Sequence, residues 1–204
     1  MANLKLQDVI LKGSGQGLYT FGDYFLHDMW MPKAKCLYGP QFSVCHIDGN
    51  PHVIDIGILD ETTIKLAKTC PHPIKEGSVI NFASAVMYGV EEINAAKFKC
   101  KFLRILKAST GKQADFAGET LEHDIPSDGL IISKLKKKGR AKVGHSMISG
   151  EHATVTGTTI TDTSSNGTYV LLKLLDELEE GRTSQVVKVE PGSELAFADF
   201  VIHL

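Results

Sequence analysis

Hydrophobic positions in this chain alternate in short runs far more often than they recur at helical spacing. Leu4, Leu6, Val9, Ile10 and Leu11 open a first run, and Leu18-Tyr19-Thr20-Phe21 a second, after the turn-like Gly13-Ser14-Gly15-Gln16-Gly17. Phe42 to Cys45, Val53 to Ile58, Thr62 to Leu66, Ser78 to Phe82 and Ala85 to Tyr88 continue the pattern. Between them lie Asp48-Gly49-Asn50-Pro51, Asp60-Glu61 and Lys75-Glu76-Gly77. Short β-branched and aromatic runs bounded by such turn residues read as strands. Turns about every ten residues predict a mainly β fold, an antiparallel sandwich or barrel rather than alternating βαβ units.

Four later segments refine this picture. Lys97-Phe98-Lys99-Cys100-Lys101-Phe102 alternates strictly, which places three lysines on one strand face and three apolar side chains on the other. Glu91, Glu92, Ala95 and Ala96 ahead of it predict a short helical turn near 91–96. Ala153 to Thr163 is rich in threonine with few large apolar groups, the composition of an exposed or edge strand. Leu171, Leu174, Leu175 and Leu178 recur at helical spacing and Gly181 follows, so 168–180 is the one substantial helix. Val186 to Val189 and Leu195 to Leu204 read as closing strands. The stretch 109–126 reads as loop, and a subdivision of the single domain 1–204 would fall near 109–128.

Composition adds few constraints. The chain has 204 residues, 43% hydrophobic and 23% charged, the balance of an ordinary folded domain. Cys36, Cys45, Cys70 and Cys100 are too few and too irregular for a secreted disulfide framework. The N-terminal residues lack a basic stretch followed by an apolar one, and no apolar run approaches the ~18 residues of a membrane helix. A cytoplasmic protein without a membrane partner is expected, and Asn166-Gly167-Thr168 is then no glycosylation site.

The motifs that suggest catalysis are each incomplete. The glycines at 13, 15 and 17 precede a strand-like run, with neither the helix N-terminus nor the lysine of a phosphate loop. Cys36, Cys45, His46, His52, Cys70 and His72 crowd into residues 36–72, but only Cys70-Pro71-His72 resembles the close pairs that zinc sites use. No metal or cofactor is expected, and an enzyme or metalloprotein using this cluster ranks third. No serine sits in a GxSxG elbow, and His152-Ala153-Thr154 lacks the second His-x-Thr of a phosphoesterase pair. A non-enzymatic protein is expected.

Charge is what remains. The net charge is −2, yet 11 of the 22 Lys and Arg residues fall in two clusters. One is Lys97, Lys99, Lys101, Arg104 and Lys107; the other is Lys134, Lys136, Lys137, Lys138, Arg140 and Lys142. Asp176, Glu177, Glu179 and Glu180 form an acidic counterpart. Pairing of the second basic cluster with these acids between copies predicts a structural subunit of a homo-oligomeric particle, tube or shell, of the kind that builds a virion. The alternative is an OB-like single-stranded nucleic-acid binder that uses segments 97–107 and 134–142. Stacking of bases would require aromatic rings on the lysine face of 97–102, and the alternation puts them on the other.

Overall fold

The computed structural model describes residues 19–22, 29–30, 40–48, 50–57, 62–107, 109, 120–188, 194–197 and 200–203. The fold is mainly β, with antiparallel-rich sheets and, among the described residues, one short helix. Among the described residues no helix is long and apolar enough to cross a membrane. The chain divides into two compact units, Met1–Lys65 with Leu171–Leu204, and Leu66–Val170.

The first unit begins with β1 (Tyr19–Gly22), β2 (Met29–Trp30), β3 (Pro40–Ile47), β4 (Asn50–Asp55) and β5 (Thr63–Lys65). The second contains β6 (Pro71–Pro73), β7 (Val79–Phe82), β8 (Val86–Ile93), β9 (Lys97–Ile105) and β10 (Leu121–Asp124). It continues with β11 (Leu130–Ser133), β12 (Arg140–Lys142), β13 (Ala153–Thr156), β14 (Thr159–Asp162) and β15 (Thr168–Leu171). The chain then returns to the first unit through α1 (Leu175–Glu179), β16 (Val187–Lys188), β17 (Glu194–Phe197) and β18 (Phe200–His203).

In the first unit β16, β4, β3, β1 and β2 form one sheet in that order. A buried polar network organises the end of β4. The Asp55 carboxylate accepts the Gly57 N–H at 2.9 Å and the Thr62 N–H at 2.7 Å. Ser184 Oγ accepts the Asp55 N–H at 2.7 Å, and Lys173, itself buried, donates to the Gly57 carbonyl with its ammonium 3.9 Å from Asp55. A buried charge needs this kind of compensation to persist.

The second unit is a sandwich. One sheet runs β10-β9-β8-β7-β15 and the other β12-β11-β13-β14-β6. Phe82, Tyr88 and Phe98 from the first meet Ile132, Val155 and Ile160 from the second in one buried cluster. Phe82 packs edge-on against Tyr88 and against His152, with ring centroids 6.0 and 5.7 Å apart. The alternation of β9 is realised as expected: Phe98 and Cys100 are buried while Lys97, Lys99 and Lys101 face outward. One edge of the second sheet is blunted, because Pro71 and Pro73 of β6 lack an N–H to offer a further strand.

Four segments differ from the sequence expectation. Glu91 to Ile93 extend β8, and Asn94 Oδ1 accepts the N–H groups of Ala96 and Lys97, so 91–96 is a hairpin turn rather than a helical one. The helix is confined to Leu175–Glu179, since Thr168–Leu171 pairs with β7 as a strand. Segment 153–163 is a hairpin that turns at Gly157 (φ 54°), and both its strands are interior to their sheet, with Ala153, Val155 and Ile160 fully buried. Small Ala and Thr side chains suit that crowded interior as well as they suit an edge. Leu121–Asp124, within the expected loop, pairs with β9. The expected strand at 4–11, the glycine turn at 13–17, and residues 58–61 lie outside the described residues.

His145 and His152 are scaffold groups. His152 Nδ1 accepts the Ser149 N–H at 3.2 Å while Nε2 lies 3.1 Å from the Gly167 carbonyl, which fixes a neutral ring with its proton on Nε2. His145 uses its two nitrogens likewise, on the Met147 N–H and the Lys107 carbonyl. Burial holds the His152 pKa below the usual value. The unfolded chain therefore binds more protons, and stability present above about pH 6.5 is lost as the pH falls towards the folded-state pKa. Thermal melts should show this loss, and His152→Ala should remove its share of the pH dependence. The same substitution should lower stability by about 1–3 kcal/mol for each stranded backbone group.

Candidate anion-binding site

Residues 134–142, a loop that runs into β12, are held up by a short framework. The Ser133 hydroxyl donates to the Gly150 carbonyl at 2.7 Å and accepts the Leu135 N–H at 2.9 Å. Arg140 Nη1 donates to the same Gly150 carbonyl at 2.7 Å, and Nη2 reaches the Glu151 carboxylate at 2.6 Å. The Lys134 N–H donates to the Ser149 carbonyl. Between these anchors the chain reverses at Lys137 to Arg140, where Gly139 takes φ 74°. A non-glycine residue there would carry the strain of that conformation.

This loop delivers β12 parallel to β11, at the open edge of its sheet. Strand alternation then sends Ala141 into the core and turns Arg140 and Lys142 the other way. Strand β10 forms the edge of the facing sheet and lies beside β12. Between the two edges is a cavity of about 420 Å³ lined by Thr120, Leu121, His123, Lys136, Lys137, Gly139, Arg140 and Lys142. Among the described residues four cationic side chains line it and no carboxylate does. Lys136, Lys137 and Lys142 form no ion pair among the described residues, and neither do Lys134 and Lys138, which lie outside the lining. Burial lowers the His123 pKa, and neighbouring Asp124 works in the opposite direction.

The other charged segments are arranged differently. Lys97 meets Glu122 at 3.0 Å and Glu92 at 3.3 Å, and Lys99 meets Glu91 at 3.2 Å, so flanking strands supply carboxylates to the β9 lysines. Hydrogen bonding to those two carboxylates raises the Lys97 pKa, and the same bond holds Glu122 below the usual carboxylate value. Arg104 Nε donates to Met87 Sδ at 3.2 Å, Lys101 is also engaged, and the Lys107 carbonyl accepts from His145. Tyr88, Phe98 and Phe82 are buried. In the acidic segment Asp176 and Glu180 each meet Arg182, at 2.9 and 2.7 Å, while Glu177 turns inward and accepts the Leu174 N–H at 2.7 Å; Glu179 also has an interaction partner. Glu177 thereby caps the helix start.

The Cys/His segment is dispersed. Cys45 and His52 face each other across β3 and β4, Cys70 is exposed, and His72 sits on β6. Among the described residues no group of three His, Cys, Asp or Glu could hold a metal ion, and Cys36 is outside them. No family model matches the chain, and neither a curated protein nor a solved structure does.

An anion in the cavity would oppose the desolvation of His123 and raise its pKa. Affinity for sulfate, which stays doubly charged, should therefore rise as the pH falls through the region of 6.5 and below. Calorimetric titrations at several pH values should show this, with the dependence flattened in His123→Gln.

Proposed function

We propose that this chain is a non-enzymatic binding protein whose sandwich unit holds a polyanion, single-stranded nucleic acid being the class, against the 134–142 loop. The observation that carries this reading is the cavity lined by Lys136, Lys137, Arg140 and Lys142, with no carboxylate among its described lining residues. Like charges gathered on a framework repel one another, and an anionic ligand relieves that repulsion on arrival. The contrast with β9 supports the same choice, because Lys97 and Lys99 already have carboxylates on the neighbouring strands. With Tyr88, Phe98 and Phe82 committed to the core, binding rests on backbone charge rather than base stacking, and sequence preference is weak.

Fluorescence anisotropy with labelled oligonucleotides tests this. Log affinity should fall with log salt at a slope near −3 for about four phosphate contacts, at ~0.7 per contact for a single strand. Lys137→Ala should reduce the slope by about 0.7 and weaken binding equally across sequences. No binding at about 50 mM salt removes the proposal.

Self-association into a particle, tube or shell is the second reading. It is favoured by Ile105 and Leu106, consecutive large apolar residues left exposed at the end of β9. An acidic surface of another copy would then meet the loop, with charges setting register and apolar contacts supplying affinity. Light scattering after size exclusion should show oligomers that shrink when Lys136, Lys137 and Lys138 are all changed to Glu. A monomer at both low and high salt rules this reading out.

A further inference from the structure

Resting on the polyanion reading, we infer that the cavity between β10 and β12 takes a phosphate monoester in preference to a phosphodiester. Three features of the site support this. First, the space is a half-open cleft of about 420 Å³. That lies within the ~300–1,000 Å³ range of small-ligand sites, so it suits the end of a molecule or a whole small one.

Second, the charge balance favours a dianion. Lys136, Lys137, Arg140 and Lys142 line the space, and among the described residues only Arg140 has an acidic partner, Glu151, outside the lining. A phosphodiester brings one negative charge to this group and a monoester near neutral pH brings almost two, so a monoester offsets more of the mutual repulsion. Each of its oxygens can also accept a charge-assisted hydrogen bond, and lysines approach such oxygens as point charges.

Third, one of the four cations is already held in place. Arg140 is tied to Gly150 and Glu151, and Ser133 ties the loop entrance to the same carbonyl. Arg140 thus needs no large rearrangement to keep its charge beside the cavity, which lowers the ordering cost of binding. Thr120 and Leu121 on the β10 side add a hydroxyl and an apolar wall against which the body of an ester can rest. The monoester could be a free small molecule, such as a nucleoside monophosphate, or the 5′-phosphate that ends a nucleic-acid strand.

The experiment separates these sources from each other and from the broader reading. Inorganic phosphate, a nucleoside monophosphate, the unphosphorylated nucleoside, and one oligonucleotide with a 5′-phosphate or a 5′-hydroxyl are titrated by calorimetry into the full-length protein. Phosphate and the monophosphate should bind and compete for one site, while the nucleoside should not bind. Lys137→Ala with Lys142→Ala should weaken both by about tenfold or more, as expected from two lost charge-assisted contacts. Both lysines are exposed, so circular dichroism and the melting temperature should be unchanged. A 5′-phosphate preference of about tenfold, or 1.4 kcal/mol, points to strand ends as a source. Binding of the monophosphate without that preference points to the small molecule alone, and either result supports the inference. Oligonucleotide binding that ignores the terminal phosphate, with no binding of phosphate or monophosphate, overturns it and leaves the polyanion reading intact. Phosphate binding that is unaffected by the double variant also overturns it. If none of these ligands binds, both fail together.

Discussion

The candidate site depends on the hydrogen bonds that converge on residues 149–152. The Gly150 carbonyl accepts from Ser133 and Arg140, the Ser149 carbonyl accepts from Lys134, and the Ser149 N–H donates to His152. His152 in turn sits against Phe82 and reaches the Gly167 carbonyl in the core. One short segment therefore links the packed interior of the sandwich to a loop carrying six basic residues. Without these links the loop's charges would spread apart in solvent. With them, Arg140 is committed to one place, and β12 holds it on the same strand face as Lys142.

The two basic clusters of the sequence receive opposite treatment from the fold. On β9 the lysines lie between strands that provide Glu91, Glu92 and Glu122, so their charge is met within the sheet. Exposed pairs of this kind are screened by solvent and add little stability, and their main effect is to leave less charge for a ligand. The 134–142 segment ends in the edge strand β12 and has, among the described residues, one carboxylate partner, Glu151, taken by Arg140. Location in the sheet order, more than the number of lysines, separates a neutralised face from an available one. The acidic segment follows the same logic, with Arg182 serving Asp176 and Glu180 from six and two residues away.

Much of the β fold was legible because strand alternation is a local property. The period of two in Lys97 to Phe102 predicts its face assignment residue by residue, and the structure realises it. The failures were also physical. Thr168 to Leu171 carries leucine spacing that continues into α1, yet pairing with β7 satisfies its backbone in extended form. Leu121 to Asp124 offers one large apolar residue in four, too little for a strand signal, and is recruited by the exposed ladder of β9. The cavity was half legible. Its cations stood out as a run, while Thr120, Leu121 and His123 enter it only because two sheet edges meet, a tertiary fact with no local trace.

The central claim is that the 134–142 loop and the facing β10 edge form one anion site. Amide chemical-shift mapping of the full-length protein during titration with a single-stranded oligonucleotide tests this directly. The account predicts saturable shifts concentrated in residues 120–123 and 136–142, suppressed at high salt, with the β9 amides of Lys97 and Lys99 little changed. Shifts centred on Lys97 to Lys101, or spread evenly over every basic residue, would contradict it.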